Sequence, residues 1–578
     1  MKQEGLSAVV IPSTDPHNSE YVPARWKSRQ WISGFDGSAG TVVVTLGSAA
    51  LWTDSRYFIQ AADQLSGTGI VLMKQRVPGT PSVAQWIARE TTGQGRVEVA
   101  VDGSSCMFGY VKSLQHELRK EGGITLRTNI DAVGRIWKGR PGITSNPVVV
   151  HPCEFAGEGV PSKLDRIRTA LRGKKADGML VSELDDIAWT LNLRGSDVDC
   201  NPVFVAYLLI SSISATLFVD GGKLTDGALA QLASSGVSVE GYEDVVKALA
   251  AWGEYNLLLD PDSTAYSVFK AAKNVRVVEE TSPIPQLKAV KNSREIEGFR
   301  RAMLRDGVAV SRLLAWISKE VAVGGLTELG VLRKIEELRT SFGQYKYPSF
   351  STISAYGEHG AIVHYEPTTE TDAKLLPKGF ILIDTGGQYE DGTTDVTRTL
   401  ALGELSHKER LAYTLVLKGH IQLELLKFPR GACGTQLDAV ARKDMWKHGF
   451  NYMHGTGHGV GAFLNVHEGP HQIRMEYVPQ PLLPGMTVTD EPGLYFEGEF
   501  GVRIENTLLI RECDDMDGFL EFDTLTLCPI DTTPVIKDML TLEEVDWINT
   551  YHSRVWSELS PLMNGGDRAW LRQATQHI

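Results

Sequence analysis

The sequence predicts a mixed α/β (α+β) protein of three segments, with antiparallel strands in the last segment. Two Pro/Gly-rich joints, at residues 139–161 and 282–285, divide the 578 residues into three, and this length allows three to four domains. Helical and strand patterns both occur. A long amphipathic stretch follows the second joint, and an apolar strand ends at Asp384, after which Gly386 begins a turn.

Each joint is followed by a predicted helix. After the first joint, Ser162 can cap a helix whose apolar positions include Leu164 and Ile167. After the second joint, Asn292 and Glu295 have the spacing of a capping box. The helical apolar stripe that follows consists of Ile296, Phe299, Met303, Val310, Leu314 and Ile317.

The first two segments contain a faint internal echo. Residues 9–15, 31–38 and 51–54 resemble residues 179–185, 189–196 and 217–220. The intervals between matching pieces differ, so chance similarity of strand and Gly-Ser loop segments explains the echo equally well. The internal similarity is evidence for two related domains only if another observation also indicates them.

Composition and charge exclude some classes of function. The 42% hydrophobic and 22% charged residues are ordinary globular values, and a net charge of −13 gives no electrostatic reason to expect nucleic acid or an anionic membrane as partner. The N-terminus lacks a signal-peptide apolar core, and no apolar run is long enough to span a bilayer. Six cysteines without a C-x-x-C pair favour a reducing compartment, so a cytoplasmic protein with small or peptide ligands is expected.

Five metal-capable side chains are spread over the last third of the chain. They are Asp384, Asp395, His458, Glu491 and Glu505. Four carboxylates and one imidazole are a ligand set for two adjacent hard divalent cations, and such donors favour Mn, Co or Mg over a thiolate-preferring ion. Two such ions can share a hydroxide at neutral pH, which is the expected nucleophile.

Strand periodicity brings three of these carboxylates together. Asp384 closes an apolar strand, and Asp395 belongs to an alternating stretch on the next antiparallel strand. In residues 501–510 the alternation places Arg503 and Glu505 on one face of a single strand. A lone Asp at a strand end is more often a turn or cap residue, and a lone Glu more often faces solvent. An unpaired charge at Asp384 would be costly, however, which favours ligation or a strong ion pair.

The imidazole comes from a glycine-rich stretch, residues 454–461. His454 and His458 have the i, i+4 spacing of a helical zinc pair, but the interleaved glycines oppose a helix. Neither the dinucleotide fingerprint nor the Walker pattern fits these glycines. We therefore expect a loop that brings backbone close to a ligand.

A literal H-E-x-x-H match, residues 467–471, is a decoy. This zinc motif works only on a helix that directs both imidazoles at one metal, and the internal Gly-Pro removes a backbone donor and breaks the turn. The match is rejected as a zinc site. His467 alone is interpreted either as a proton donor or substrate contact, or as an ordinary loop histidine.

These stretches carry a family resemblance. The motifs at residues 383–389, 391–399, 454–461, 490–493 and 501–506 resemble those of aminopeptidase P, the Xaa-Pro aminopeptidase family of pita-bread metallopeptidases, and the likeness extends to residues 34–41 and 193–197. The resemblance implies two creatinase-N-like α/β domains, residues 1–140 and 141–288. It implies a pita-bread catalytic domain with a curved antiparallel sheet and a C-terminal extension over residues 289–578.

The resemblance also assigns metal ligands. Asp395 and Glu505 would bridge two divalent ions, with Mn²⁺ as the expected metal. Asp384 would complete one ion, and His458 and Glu491 the other. Glu491 also matches the proton-shuttling carboxylate of the family.

Three histidines match those that contact substrate and stabilise the scissile carbonyl in the family. They are His364, His454 and His467. For His364 the family register replaces the ordinary interpretation as a satisfied core histidine. No serine or cysteine nucleophile and no covalent intermediate are expected.

The expected substrate follows from the chemistry of proline. The bond to a proline nitrogen is a tertiary amide without an N–H, so peptidases that grip that N–H are excluded and a dedicated pocket is needed. A free amino terminus suits a carboxylate-rich metal centre. The expected reaction is release of the N-terminal residue from peptides with proline second, and the family implies a homodimer.

Other functions stay open on the residues alone. A prolidase would use the same ligands on Xaa-Pro dipeptides but commonly has one front domain, and the 291 residues before the Asn292 cap count against it. A methionine aminopeptidase would have less preceding chain, and a creatinase-type hydrolase would lack the metals. A pita-bread binding module without catalysis is disfavoured by the intact ligand set. Leu494 departs from the family, where tyrosine is common, and could alter the pocket.

Overall fold

The structure is a computed structural model that describes residues 1–253 and 255–578, and this described part divides into two units. The first consists of Met1–Pro152 and Glu158–Ile284, and the second of Cys153–Gly157 and Pro285–Ile578. All eight candidate ligands and substrate contacts lie in the second unit.

The first unit contains two six-stranded sheets that share one topology. In each sheet, three central antiparallel strands are extended on both sides by strands that pair in parallel. The first sheet has the order β4-β3-β2-β1-β5-β6, with β1 Ala8–Pro12, β2 Thr41–Thr45, β3 Ala49–Thr53, β4 Ile70–Lys74, β5 Glu98–Val101 and β6 Thr125–Arg127. After β7 Val149–Val150, the second has the order β12-β11-β10-β8-β13-β14, with β8 Gly178–Val181, β10 Ala206–Ser211, β11 Ala215–Val219, β12 Val237–Glu240, β13 Asn256–Leu259 and β14 Arg276–Glu279, while β7 pairs with β9 Leu193–Arg194. This repetition gives the internal sequence echo a structural basis.

Both faces of the first sheet are buried. Val10 and Val43 belong to one apolar core, whereas Val9 and Val42 belong to another. Alternate residues of a strand point to opposite faces, which is why β1 and β2 are apolar at nearly every position. The helices between the strands and up to the second joint are α1 Ser28–Ser33, α2 Phe58–Gln64, α3 Val83–Glu90, α4 Phe108–Lys120, α5 Cys153–Ala156, α6 Val160–Gly173, α7 Leu184–Leu191, α8 Asp226–Ser234, α9 Val245–Ala250, α10 Tyr266–Ala271 and α11 Ile284–Ala289.

Helix α6 begins earlier than the sequence predicted. The expected cap, Ser162, lies inside the helix and donates to the Glu158 carboxylate at 2.6 Å. The helix starts at Val160 with Pro161 in its first turn, because the missing N–H of proline has no intrahelical partner to lose there. The prediction of Ser162 as the N-cap is therefore wrong.

The helices of the second unit begin with the one predicted after the second joint. Asn292 accepts from the backbone N–H of Glu295 at 3.1 Å, and the Glu295 carboxylate accepts from that of Asn292 at 2.9 Å, which confirms the capping box. The helices are α12 Ser293–Val323, α13 Glu328–Thr340, α14 His407–Glu424, α15 Gly434–Lys447, α16 Leu542–Leu559 and α17 Gly565–Ala574.

The strands of the second unit pair antiparallel in every ladder that the structure describes. They are β15 Tyr345–Pro348, β16 Ile353–Tyr356, β17 Phe380–Thr385, β18 Gly387–Tyr389, β19 Gly392–Thr393, β20 Val396–Ala401, β21 Phe428–Pro429, β22 Gly457–Gly459, β23 Glu468–Ile473, β24 Thr487–Asp490, β25 Gly493–Phe496, β26 Phe500–Arg503, β27 Asn506–Glu512 and β28 Phe519–Thr524. This agrees with the antiparallel strands expected for the last segment.

Strand β17 shows how the fold directs polar groups away from its core. Ile381 and Ile383 pack with Leu313 and Ile317 of α12. Because side chains alternate along a strand, Asp384 points to the opposite face. The apolar run therefore anchors the strand, and its last residues carry the chemistry.

None of the described helices combines the length and the apolar character that crossing a membrane requires.

Candidate metal centre

Asp384 and Asp395 are brought together by the antiparallel ladder between β17 and β20. Asp384 lies opposite Thr397 in this ladder, and Asp395 immediately precedes β20. Both are buried, with exposed fractions of 8% and 3%. Asp384 thus lies within β17, while Asp395 lies just before the neighbouring antiparallel strand and not within it as predicted.

The sequence predicted that Glu505 lies within one strand, but in the structure it lies between two strands. Residues 501–510 are not one strand: β26 ends at Arg503 and β27 begins at Asn506. Between them, the Glu505 N–H donates to the Thr397 carbonyl at 3.1 Å, and its own carbonyl accepts from Arg398 at 2.6 Å. These bonds to β20 interrupt the ladder at Glu505. Its carboxylate accepts from the Thr397 hydroxyl at 2.7 Å, which directs it toward the two aspartates.

His458 presents one ring nitrogen to the carboxylates. Its Nδ1 atom lies 2.9 Å from the Gly459 carbonyl, which can only accept, so Nδ1 carries the proton. Its Nε2 atom lies 3.5 Å from Asp395 Oδ2 and 3.5 Å from Glu491 Oε1. Potential ligand atoms of Asp395, His458 and Glu505 all lie within 4.8 Å of one another. A metal ligand held by its other ring nitrogen in this way has its tautomer and orientation fixed.

Two glycines around His458 are required by close packing within the protein. A Cβ atom at Gly457 would overlap the Thr489 carbonyl oxygen, and one at Gly459 would overlap the Glu468 carbonyl oxygen. Both lie in the short strand β22, which pairs with β23. Only glycine permits this backbone approach.

In this site the negative charge of the carboxylates exceeds the positive charge of the side chains around them. Burial raises the pKa of Glu491 to about 7, with Asp384 adding to the rise and Arg503 opposing it. Burial and neighbouring carboxylates raise the pKa of Asp395 and of Glu505 well above the ordinary range. In addition, Asp384 Oδ1 is buried and accepts no hydrogen bond from any described group. Two divalent cations would supply the missing charge and partner, so this donor set fits them.

A hydrogen-bonded chain that sequence reasoning missed leads away from Asp384. Arg503 donates from Nη2 to Asp384 Oδ2 at 2.6 Å and from Nη1 to the Tyr495 hydroxyl at 2.8 Å. That hydroxyl lies 2.8 Å from His454 Nε2, while His454 Nδ1 lies 2.7 Å from the Gly455 carbonyl. The only available signal was the placement of Arg503 on the Glu505 face, which does not identify its partners.

The three candidate substrate histidines are placed unequally. His467 packs edge-to-face on His458, with ring centroids 4.4 Å apart, and His454 is linked through Tyr495. His364 is half-buried and follows a 3-10 helix, residues 357–361, whose Gly360 backbone lies against Gly501 of β26. Contacts therefore join His454 and His467 to the ligand group. The segment that carries His364 lies against β26.

The H-E-x-x-H stretch does not form a zinc site. Its last four residues begin strand β23, and the two histidines have different environments. His471 is fully buried with Nε2 2.7 Å from the Thr487 carbonyl, and burial lowers its pKa to about 4. Glu468 forms a buried ion pair with Lys291. The rejection of this motif agrees with the structure.

Comparison with protein families divides the chain into four matched regions. Residues 297–512 match metallopeptidase family M24, and residues 518–578 match the C-terminal region of that family. The creatinase/prolidase N-terminal domain matches twice, at residues 1–137 and 139–295. Two related domains therefore precede the metallopeptidase domain.

Similar proteins cover the whole chain. Aminopeptidase P1 of Arabidopsis thaliana is 37% identical over 99% of this chain and 97% of its own, and Xaa-Pro aminopeptidase 1 of Dictyostelium discoideum is 39% identical over 97% and 92%. The crystal structure of X-prolyl aminopeptidase from Caenorhabditis elegans, described as a cytosolic enzyme with a di-nuclear active site, has 36% identity, a TM-score of 0.95 and coverage of 99% and 95%.

A prolidase matches less of the chain. The structure of the Pyrococcus horikoshii prolidase covers 64% of this chain and 99% of its own, with 25% identity and a TM-score of 0.51. The full-length likeness is thus to the Xaa-Pro aminopeptidases. Two creatinase-type domains followed by a pita-bread metallopeptidase domain, and relatives of one activity over the full length, show that the chain belongs to the Xaa-Pro aminopeptidase (aminopeptidase P) family of M24 metallopeptidases.

Proposed function

We propose that this enzyme is a dinuclear-metal aminopeptidase that hydrolyses the bond between an N-terminal residue and a following proline, with Mn²⁺ as its metal. The observation that carries the proposal is the convergence of Asp395, His458 and Glu505, with Glu491 beside them, in a buried site short of positive charge. The ionic radius and oxygen preference of Mn²⁺ suit such donors.

The proposed ligand roles follow the positions of the side chains. Asp395 and Glu505 would be shared by the two ions, Asp384 would complete one, and His458 with Glu491 would complete the other. Support comes from His458 Nε2, which lies 3.5 Å from both Asp395 and Glu491. When bound, two such ions lower the pKa of a water between them and supply a hydroxide nucleophile at neutral pH.

Glu491 is proposed to move the proton. Breaking the bond to proline leaves a secondary amine, which must gain the proton that the attacking water loses. The Glu491 carboxylate lies beside the ligand group, with Oε1 3.5 Å from His458 Nε2, where a carboxylate can accept a proton from water and return it to the leaving amine. The Thr489 hydroxyl lies 3.4 Å from Glu491 Oε1 and accepts from the backbone N–H of His458. It therefore keeps the Glu491 carboxylate next to the His458 imidazole.

His364, His454 and His467 are proposed to contact the substrate and its scissile carbonyl. His467 is supported by its packing against His458. His454 has both ring nitrogens engaged, by Gly455 and by Tyr495. Because Nδ1 faces a carbonyl and carries the proton of the neutral ring, Nε2 could donate to a peptide only if it lost Tyr495 and gained a second proton.

The wider context supports an aminopeptidase over a prolidase. Two front domains precede the catalytic one, and the P. horikoshii prolidase accounts for 64% of the chain only. We retain domain boundaries of 1–140, 141–288 and 289–578, a homodimeric assembly and a cytoplasmic location as proposals. The partners proposed are peptides with proline second, without nucleic acid or membrane.

The test is a metal add-back assay on the full-length protein. Metal-depleted enzyme is given Mn, Co, Zn or Mg and assayed on an Xaa-Pro-Xaa tripeptide and on an Xaa-Pro dipeptide, beside Glu505→Gln and the exposed control Glu512→Gln. We expect tripeptide cleavage, highest with Mn, that Glu505→Gln abolishes and Glu512→Gln leaves unchanged. Dipeptide-only cleavage would assign a prolidase, and two bound ions without any cleavage would assign a binding module.

A further inference from the structure

Four of the proposed metal ligands are each next in the chain to a residue that contacts a buried charged pair. There are two such pairs, and they lie on helices α12, α13 and α14. One pair consists of Asp306 and Arg339, and the other of His420 and Glu424. All four residues are buried, and none is a proposed ligand or substrate contact. Each pair contacts residues that are next in the chain to two of the ligands.

The Asp306–Arg339 pair joins α12 to α13. Arg339 donates from Nε and Nη2 to the two carboxylate oxygens of Asp306, at 2.7 and 3.1 Å. Burial opposes the charge on Arg339, but Asp306 outweighs it and raises the pKa of the guanidinium further. A bidentate pair of this kind is rigid in both distance and angle.

This pair holds the residues next to Asp384 and Asp395. Arg339 Nη1 donates to the hydroxyl of Thr385 at 2.6 Å, and Thr385 follows Asp384 in β17. The Thr394 hydroxyl donates to Asp306 Oδ2 at 2.8 Å, and Thr394 precedes Asp395. One ionic pair therefore fixes the backbone beside two ligands.

The His420–Glu424 pair lies within one turn of α14 and extends to β24. His420 Nε2 lies 3.2 Å from Glu424 Oε1, and Nδ1 lies 3.1 Å from Asp490 Oδ2 and 3.2 Å from the Asp490 carbonyl. Burial alone would lower the pKa of His420, but Asp490 and Glu424 raise it to about 9. The imidazole thus lies buried between two carboxyl groups.

This second pair holds the residues next to Glu491 and Glu505. Asp490 precedes Glu491, and the Asn506 amide, which follows Glu505, donates to Glu424 Oε1 at 2.8 Å. The arrangement does not suit a third metal ion, because the two ring nitrogens of His420 face different carboxylates and one ion could take only one of them. A positioning role accounts for both contacts.

We propose that the Asp306–Arg339 pair positions Asp384 and Asp395, and that the His420–Glu424 pair positions Glu491 and Glu505. The inference rests on the proposed dinuclear function. Carboxylates that converge repel one another until cations bind, so their backbones need support that does not depend on the metal. Asp395 and Glu505 would be shared by both ions, whereas Asp384 would complete one ion and Glu491 the other, so each pair should affect mainly a different ion.

Matched carboxylate-to-amide substitutions test this division. Asp306→Asn and Glu424→Gln keep the size of each side chain and remove its charge. Glu544→Gln is the control: Glu544 is buried, belongs to the capping box of α16 and pairs at 2.7 Å with Lys418 of α14, the helix that carries His420 and Glu424. Mn²⁺ titration by calorimetry and electron paramagnetic resonance reports stoichiometry and whether two ions are coupled.

We expect wild type and Glu544→Gln to bind two coupled ions. Asp306→Asn and Glu424→Gln should each weaken one ion by about 10–100-fold and give an uncoupled single-ion spectrum at intermediate Mn²⁺. Double-mutant cycles identify the ion: Asp306→Asn should be non-additive with Asp384→Asn and additive with Glu491→Gln, and Glu424→Gln should show the reverse.

A second pair of variants cuts the same links from the ligand side, in case the first pair does not fold. Thr394→Val removes the hydroxyl bonded to Asp306, and Asn506→Ser removes the amide bonded to Glu424. Equal weakening of both ions in all variants, or affinities equal to that of Glu544→Gln, would overturn the inference. If wild type itself bound fewer than two ions, the proposed dinuclear function would fail as well, which separates the two failures.

Discussion

Arg503 donates to Asp384 Oδ2 at 2.6 Å within a site otherwise built from carboxylates and histidines. Burial opposes the charge of Arg503, but Tyr495, Asp384 and Glu491 raise the pKa of its guanidinium, so it remains a cation. The contact occupies one oxygen of Asp384 and leaves Oδ1 for a metal ion. Arg503 therefore determines which oxygen of the Asp384 carboxylate is available to a metal ion.

Arg503→Lys should weaken metal binding and activity together. A single ammonium cannot reach Asp384 and Tyr495 with the fixed geometry of a guanidinium. We expect Mn²⁺ affinity and kcat/KM on an Xaa-Pro-Xaa peptide to fall by about 10–100-fold. Calorimetric titration and initial rates at saturating Mn²⁺ measure the two effects separately.

Arg511→Lys is the matched control for this substitution. Arg511 lies in β27, is 44% exposed and pairs with Asp514 and Glu521 at the surface. It should leave both quantities unchanged, because exposed ion pairs contribute little. Equal effects from the two variants would contradict the role given to Arg503.

Tyr495→Phe should separate catalysis from metal binding. The hydroxyl links Arg503 to His454 Nε2, so its removal leaves the buried Arg503 and the half-buried His454 without this partner. We expect kcat to fall by about tenfold, which corresponds to about 1.4 kcal/mol, while two Mn²⁺ ions still bind. Tyr477→Phe, at a side chain that is 75% exposed, should change neither quantity. A loss of Mn²⁺ affinity as large as that in Arg503→Lys would disprove this separation.

Protons should compete with metal ions at the site. Burial raises the pKa of Glu491 to about 7 and those of Asp395 and Glu505 well above their ordinary range. Cations bind the deprotonated carboxylates, so lowering the pH from 8 to 6 protonates ligands and weakens Mn²⁺ binding. We expect about a tenfold loss of affinity per pH unit below 7 for each proton displaced.

Calorimetry in two buffers of different protonation enthalpy counts the protons released. Glu491→Gln should release about one proton fewer at pH 6 and show a shallower dependence of Mn²⁺ affinity on pH. Glu512→Gln, an exposed carboxylate, should match wild type. An affinity independent of pH between 6 and 8 would mean that these carboxylates are already ionised without metal.

The proposed ligands could be singled out from the sequence because several of them occupy positions with a recognisable local pattern. Asp384 ends an apolar strand, and the glycines around His458 exclude a helix. The strand predicted through Glu505 was wrong because its alternation continues across the break. That break is made by hydrogen bonds to Thr397 and Arg398, more than a hundred residues away, which periodicity cannot indicate.

The supporting residues were harder to predict than the ligands. Arg503 was placed on the Glu505 face, but its bonds to Asp384 and Tyr495 depend on how separate strands meet. His420 and Glu424 have an i, i+4 spacing that is visible in the sequence, yet nothing local indicates Asp490 as the third member. Long-range pairing of side chains is decided by packing.

Gly457→Ala should damage the metal centre through the backbone. The added Cβ would overlap the carbonyl oxygen of Thr489, whose hydroxyl also accepts from the His458 N–H at 3.1 Å. Strand β22 must therefore shift, and His458 shifts with it. We expect the protein to lose about 1–3 kcal/mol of stability by overpacking, and Mn²⁺ affinity to fall more than it does for any surface variant.

Gly455→Ala separates this effect from a general intolerance of the loop. Its added Cβ would lie 3.6 Å from the Ile473 carbonyl oxygen, which is ordinary van der Waals contact. Thermal unfolding and Mn²⁺ titration should therefore match wild type. If Gly457→Ala also bound two ions with unchanged affinity, β22 would be free to move without disturbing His458, and the close approach to Thr489 would not be what fixes this ligand.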